Sequence, residues 1–255
     1  MFGKNATQAI DEARAEGVRT GTGAPVTTLP DGRRKNLVVT IGRQYGSGGR
    51  EIGENLARLL GVAYYDKKLV LEAAEKSGFS TEAFVKQNES VPRGLAWLFS
   101  YSSKGFMNSG GIPLDDQLFI AQANAIKDIA RAGNCVIVGR CADYVLDDMH
   151  DELNIVDVFV RSTEEARLER IARRNDLTPD GARERLKQIA PRRANYYERY
   201  TGRKWGDLNH FDIVMNTAWL EPAAAAQVLV EYLVARGYIT RDELPLDPNE
   251  PRPHE

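Results

Sequence analysis

Ten consecutive residues carry the clearest chemical signal in this chain: Gly42, Arg43, Gln44, Tyr45, Gly46, Ser47, Gly48, Gly49, Arg50 and Glu51. Glycines at this density let several backbone N–H groups turn toward one small volume. A helix starting at the end of the run adds the positive end of its dipole, and the combination suits phosphate. The familiar phosphate-loop pattern is Gly-x-x-x-x-Gly-Lys-[Ser/Thr]. Here Gly49 stands at the Lys position and Arg50 and Glu51 follow it. The cation is displaced by one residue, and the hydroxyl that normally reaches magnesium is absent. A Gly-Ser-Gly-Gly run alone also describes a plain flexible turn, so the flanking elements decide.

Those elements favour a cradle. Residues 37–41 read as a strand, and 50–60 read as a helix, with apolar Ile52, Leu56, Leu59 and Leu60 and a stop at Gly61. A second strand at 62–65 ends at Asp66, and helices follow at 67–76 and 115–132. The run 135–138 is continuously apolar, as in a strand buried on both faces, and 155–160 is similar. Charged helices at 163–175 and 178–199, a strand at 211–215 and a helix at 221–236 complete the alternation. Such alternation gives an α/β fold, a parallel sheet covered by helices on both faces. Ligands in such sheets bind at the carboxyl ends of the strands. The glycine loop, Asp66 and Gly139-Arg140 all fall there. An arginine directly after a buried strand has a poor structural reading, because an unpaired buried charge is costly. Asp66 reads equally well as the N-cap of the helix from Lys67.

The composition bounds the rest. The chain has 255 residues and a net charge of -2, which argues against a general nucleic-acid binder. No apolar stretch reaches the ~20 residues that span a bilayer, and the N-terminus lacks a signal-peptide core. Cys135 and Cys141 form no disulfide framework, which fits a reducing cytoplasm. The three histidines lack metal-ligand spacing. Between Arg161 and Arg203 lie twelve Lys and Arg residues. Most read as a solvated helix face, yet such a cluster also suits a phosphorylated small molecule, which guanidinium groups grip in pairs of bonds. Residues 1–35 read as a mobile leader and 241–255 as a proline-rich disordered tail.

Taken together, residues 39–53, Tyr64 to Lys67, residues 136–144, Tyr196-Tyr197, Tyr200 to Gly202 and Trp205-Gly206 resemble the cytidylate kinase-like family. The resemblance covers about residues 36–236. It implies a P-loop, nucleoside monophosphate kinase-like domain over 36–240: a five-stranded parallel sheet with helices on both faces. It also implies acceptor-binding helices inserted at 78–116 and an Arg-rich helical lid at 163–203. The implied reaction moves the γ-phosphoryl group of ATP, with Mg²⁺, to CMP or dCMP. Gly42, Arg43, Tyr45, Gly46, Ser47, Gly48, Gly49, Arg50 and Glu51 then form the ATP-phosphate loop. Asp66 and Arg140 match acceptor-site positions. Arg170 and Arg174 match the start of the lid and Arg193 an arginine after it; with Arg50 they are the expected catalytic cations. No residue is singled out for Mg²⁺, and a homo-oligomer is left open. The partner expected is a small nucleotide, not nucleic acid or a membrane.

The chain departs from the cytidylate kinase pattern at the loop Lys (Gly49), at the following hydroxyl (Glu51) and after Gly139-Arg140, where Cys141 replaces Asp. Two rivals follow. One is a kinase for another phosphorylated acceptor; the other is a nucleotide-binding regulator without turnover. Tyr196, Tyr197 and Tyr200 read as packing residues, Trp205 as packing or a base platform, and Cys141 as a small buried side chain.

Overall fold

The computed structural model describes residues 27–76 and 114–245. Residues 1–26, 77–113 and 246–255 lie outside it, and with them most of the expected leader, the expected insertion and the end of the tail.

Five strands form one parallel sheet: β1 Leu37–Arg43, β2 Ala63–Tyr65, β3 Cys135–Val138, β4 Asn154–Arg161 and β5 Ile213–Asn216. Their order is β2-β3-β1-β4-β5. The helices are α1 Gly49–Leu60, α2 Lys67–Lys76, α3 Leu114–Ala132, the one-turn α4 Ala142–Val145, α5 Glu164–Asn175, α6 Pro179–Thr201 and α7 Pro222–Ala235. Central β1 pairs with β3 and β4; Val39 lies level with Val136 and Val156. Side chains alternate along a strand, so β1 feeds two cores. Leu37, Val39 and Ile41 pack with Ile52 and Leu56 of α1 and Leu229 and Leu233 of α7. Val38 points the other way, into Val70 of α2, Ile126 of α3 and Met149. Double burial explains why these strands read as unbroken apolar runs. A polar rung within the sheet is paired: Thr40 Oγ1 donates to Asp157 Oδ1 at 2.6 Å.

The expected fold class stands, with small shifts at element ends. β1 continues to Arg43 because Gly42 and Arg43 stay level with Phe159 and Val160 of β4. β5 starts at Ile213 rather than Phe211. Phe211 turns its ring onto Phe159, centroids 4.9 Å apart, and the Asp212 carboxylate accepts from the Asp157 N–H at 2.8 Å. Pro191 sits inside α6 without ending it. It is exposed, so water can reach the carbonyl that its missing N–H leaves open.

The described fold also reaches past 36–240 at both ends. A Thr28–Arg34 bridge closes a turn, and Arg34 ion-pairs with Glu243 and donates to the Tyr238 carbonyl at 2.6 Å. Among the described residues no helix is long and apolar enough to cross a membrane. From β1 the chain crosses over to β2, at one edge of the sheet beyond β3, while β4 lies on the other side of β1. The crevice of such a sheet opens at that switch, beyond Arg43.

Candidate active site

The loop after β1 leaves several backbone donors open. Gly46 and Gly48 have φ of +84° and +82°, left-handed backbone that favours glycine. The loop carbonyls are turned outward and occupied. Gln44 O accepts from Ser47 Oγ at 2.9 Å, Tyr45 O from Arg167 Nε at 2.7 Å, Gly46 O from Arg170 Nη1 at 3.0 Å, and Ser47 O from Thr217 Oγ1 at 2.7 Å. Among the described residues none accepts from the N–H groups of Gly46, Gly48, Gly49 or Arg50. With the carbonyls anchored outside, these donors and the α1 dipole share the inner space. A Cβ on Gly48 would have Arg170 Nε and Pro222 Cγ as its nearest neighbours, each at 3.5 Å. Arg170 Nε is itself buried without a hydrogen-bond partner among the described residues. An oxyanion held here would satisfy that donor and the open N–H groups together.

Gly48→Val adds a branched side chain on left-handed backbone, at the edge of the cradle. We expect ATP affinity to fall at least about tenfold, read by calorimetry on protein that still melts cooperatively. Undiminished affinity would place the phosphates elsewhere.

Helices α5 and α6 grip the loop through Tyr45. Arg167 binds its carbonyl, Arg185 Nε donates to its hydroxyl at 3.0 Å, and the Arg193 guanidinium lies 5.0 Å from its ring centroid. The Tyr45 side chain therefore faces α5 and α6 and not the open N–H groups. Arg174 pairs with Glu51 at 3.2 Å, and Glu51 Oε2 is buried without a hydrogen-bond partner. Arg173, Arg183, Lys187 and Arg192 are exposed, as a solvated face would be.

A second group of cations lies beside the loop, at the ends of β1, β2 and β3. Gly139, Arg140 and Cys141 are successively left-handed, with φ of +83°, +61° and +58°. Two of them are not glycine, a strain the surrounding structure must hold. The Arg140 guanidinium sits 4.8 Å from the Tyr196 ring centroid, and Nη1 donates to buried Gln122 at 3.5 Å. The Arg43 guanidinium reaches across to Gly139, where any Cβ would collide with it. Arg193 Nη1 donates to the Arg43 carbonyl at 3.5 Å. Among the described residues Arg43, Arg140 and Arg193 form no ion pair. Burial holds the Arg193 pKa down at about 10. Burial, then Arg193 and Arg140, holds that of Arg43 well below the arginine range. Converging cations that form no ion pair among the described residues carry an electrostatic cost, eased at Arg43 by nearby Asp66, that a bound anion relieves further.

Lys67 joins this group, and sequence reasoning assigned it no role. Burial, then Arg140, Arg193 and Arg43, pushes its pKa down to about 7. The signal was available: Lys67 follows the carboxyl end of β2 directly, like Asp66. The sign of its pH effect follows. The unfolded chain keeps this proton up to the ordinary lysine range, so stability rises with pH from about 7 toward 10 as the folded protein sheds it. A bound anion favours the charged form. Anion affinity should thus fall as pH rises above about 7, with proton uptake on binding. Calorimetry of CMP binding in buffers of different ionisation enthalpy checks this. Lys67→Met should abolish the uptake, and uptake unchanged in that variant would contradict the assignment.

The N-cap reading of Asp66 holds. Oδ1 accepts from the N–H groups of Lys68 at 2.8 Å and Leu69 at 3.3 Å, capping α2, while Oδ2 lies 3.3 Å from Arg50 Nη2. Arg50 is also held by Glu54 at 3.0 Å. It is thereby turned to two carboxylates and is not brought into the cation group. Trp205 packs edge-on against Phe159 and Tyr197, centroids 5.3 and 5.1 Å apart. Tyr197 is buried, its hydroxyl donating to Asp143 at 2.6 Å. Cys135 and Cys141 are free and buried. Trp219, also passed over in the sequence, is 85% exposed between Thr217, which ties the loop, and Pro222.

Known proteins place this architecture. The family described as the Cytidylate kinase-like family matches residues 38–218. A cytidylate kinase of Thermoplasma acidophilum is 26% identical over 189 residues, 74% of this chain and 87% of that protein. A cytidylate kinase of Methanopyrus kandleri is 26% identical over 193 residues, 73% and 88% of the two chains. The crystal structure of a protein of Eubacterium ventriosum, described as uncharacterized, superposes with a TM-score of 0.57 at 23% identity. It covers 77% of this chain and 98% of that one. With its five-stranded parallel sheet and glycine loop, this chain belongs to the cytidylate kinase-like family of P-loop proteins.

Proposed function

We propose that this protein transfers the γ-phosphoryl group of ATP to a nucleoside monophosphate, with CMP or dCMP as the acceptor. One observation carries the reading: an open backbone N–H cradle lies beside three converging arginines, Arg43, Arg140 and Arg193, that form no ion pair among the described residues. Two phosphate-bearing ligands meeting there would supply the missing charge. The acceptor assignment rests on the cytidylate kinase relatives.

In the reaction, an acceptor phosphate oxygen attacks the γ-phosphorus, the bond to the bridging oxygen breaks, and that oxygen leaves with ADP. The protein's part is positioning and charge neutralisation. The loop N–H groups and Arg170 hold the donor phosphates. Arg140 grips the acceptor phosphate with its planar fork, and Arg193 covers the space between. The exposed Trp219 indole offers the ATP base a stacking face. Mg²⁺ supplies further charge neutralisation. Glu51 would offer it a carboxylate oxygen: Oε1 pairs with Arg174, while Oε2 is buried without a hydrogen-bond partner among the described residues.

Calorimetric titration with ATP and with CMP, separately and in succession, tests the reading. It requires two sites, each saturable with the other occupied. Competition of ATP and CMP for one site would sink it. Binding of both without any ADP formed would favour the regulator.

A further inference from the structure

The loop lacks its lysine, and the structure shows what occupies the space. Gly49 is the first residue of α1 and has no left-handed backbone that would require glycine. The demand is steric: a Cβ on Gly49 would lie 2.6 Å from Arg43 Cβ and 2.9 Å from Arg43 Cγ. The Arg43 stem therefore fills the place where a side chain at 49 would start. Its guanidinium continues to Gly139, which in turn has no room for a Cβ beside Arg43. Two glycines thus make way for one arginine. That arginine ends β1, between the cradle and Arg140, and it forms no ion pair among the described residues.

We infer that Arg43 takes over the task of the missing loop lysine: it meets the transferring phosphoryl group from the β1 side, and Gly49 is glycine in order to admit it. This rests on the phosphotransferase reading above. Arg43 acts here as a charge and not as an acid or base; a bound phosphoryl group favours its charged form, and it neutralises charge on the phosphoryl oxygens as the bond to the acceptor forms and the bond to ADP breaks. Its planar fork needs a different approach from a lysine, which explains the change of origin from α1 to β1. The missing lysine is then a relocated cation and no sign of lost chemistry.

The test exploits the reciprocity between positions 43 and 49. Binding of MgATP and of magnesium tripolyphosphate is measured by calorimetry, together with turnover. The proteins are the parent, Arg43→Met, Arg43→Ala, Gly49→Lys, and the double variant Arg43→Ala with Gly49→Lys. Arg43→Met keeps the stem volume and should fold, yet weaken tripolyphosphate binding at least about tenfold, the range for bonds to charged groups. Gly49→Lys should be harmful in the parent, where it meets the Arg43 stem. In the Arg43→Ala background the same change should raise tripolyphosphate affinity and turnover at least about tenfold over Arg43→Ala alone. That reversal of sign is the result expected. A parent that binds neither ligand takes down the phosphotransferase reading and this inference with it. A parent that binds both overturns the inference alone under either of two results: Arg43→Met binds as tightly, or Gly49→Lys brings no gain in the Arg43→Ala background, as a purely structural Arg43 requires.

Discussion

Arg170→Ala is expected to lower kcat at least about 100-fold, on the order of 3 kcal/mol, while ATP binding weakens far less. Arg170 is anchored on the loop, Nη1 to Gly46 O at 3.0 Å and Nη2 to Thr217 O at 3.5 Å, and its buried Nε has no hydrogen-bond partner among the described residues. A donor held in position at the edge of the cradle strengthens its bond as phosphoryl charge develops, so the loss falls on turnover more than on ground-state affinity. Arg174 is the natural control. It lies one helical turn away, but it is half exposed and paired with Glu51, an interaction worth under about 1 kcal/mol at the surface. Arg174→Ala should therefore cost much less. Steady-state kinetics beside calorimetric ATP affinities separate the two. An Arg170→Ala variant with parental kcat removes Arg170 from the account and leaves the cradle standing.

Arg140→Lys is expected to weaken the acceptor by about 1.5–3 kcal/mol, the range for hydrogen bonds to charged groups, with ATP affinity little changed. The charge survives; the planar fork and its seat over the Tyr196 ring do not. The left-handed backbone at Arg140, φ +61°, is a local strain that the surrounding turn holds. CMP titration reads the loss. Equal loss of both ligands would mean damage to the fold, and no loss would remove Arg140 from the acceptor site.

Much of this was legible in the sequence, for physical reasons. β3 and α2 were found at their ends because buried strands and helix stops leave local signals. A run of four apolar residues bounds β3 at Cys135–Val138, and Asp66 caps the start of α2. The rule that ligands sit at strand carboxyl ends drew attention to Arg140, which the structure puts directly after β3. What stayed hidden depends on contacts between residues separated along the chain. Gly49 showed that a charge was missing. Only the structure shows the Arg43 stem lying against it, across a loop whose curvature no spacing encodes. Arg50 was an attractive substitute by adjacency, but Glu54 and Asp66 hold it, and Asp66 comes from another element. Tyr45 looked like a phosphate-loop residue, but three arginines of α5 and α6 claim it. Lys67 had no visible role until Arg43, Arg140 and Arg193 gathered around it.

The most direct test of the central claim is phosphorus NMR of the protein incubated with MgATP and each nucleoside monophosphate in turn. The account predicts loss of the ATP γ-phosphoryl signal and equal growth of ADP and CDP signals when CMP is present, with no such transfer to AMP or GMP. Retention of ATP with every acceptor, by protein that binds both ATP and CMP, would contradict it.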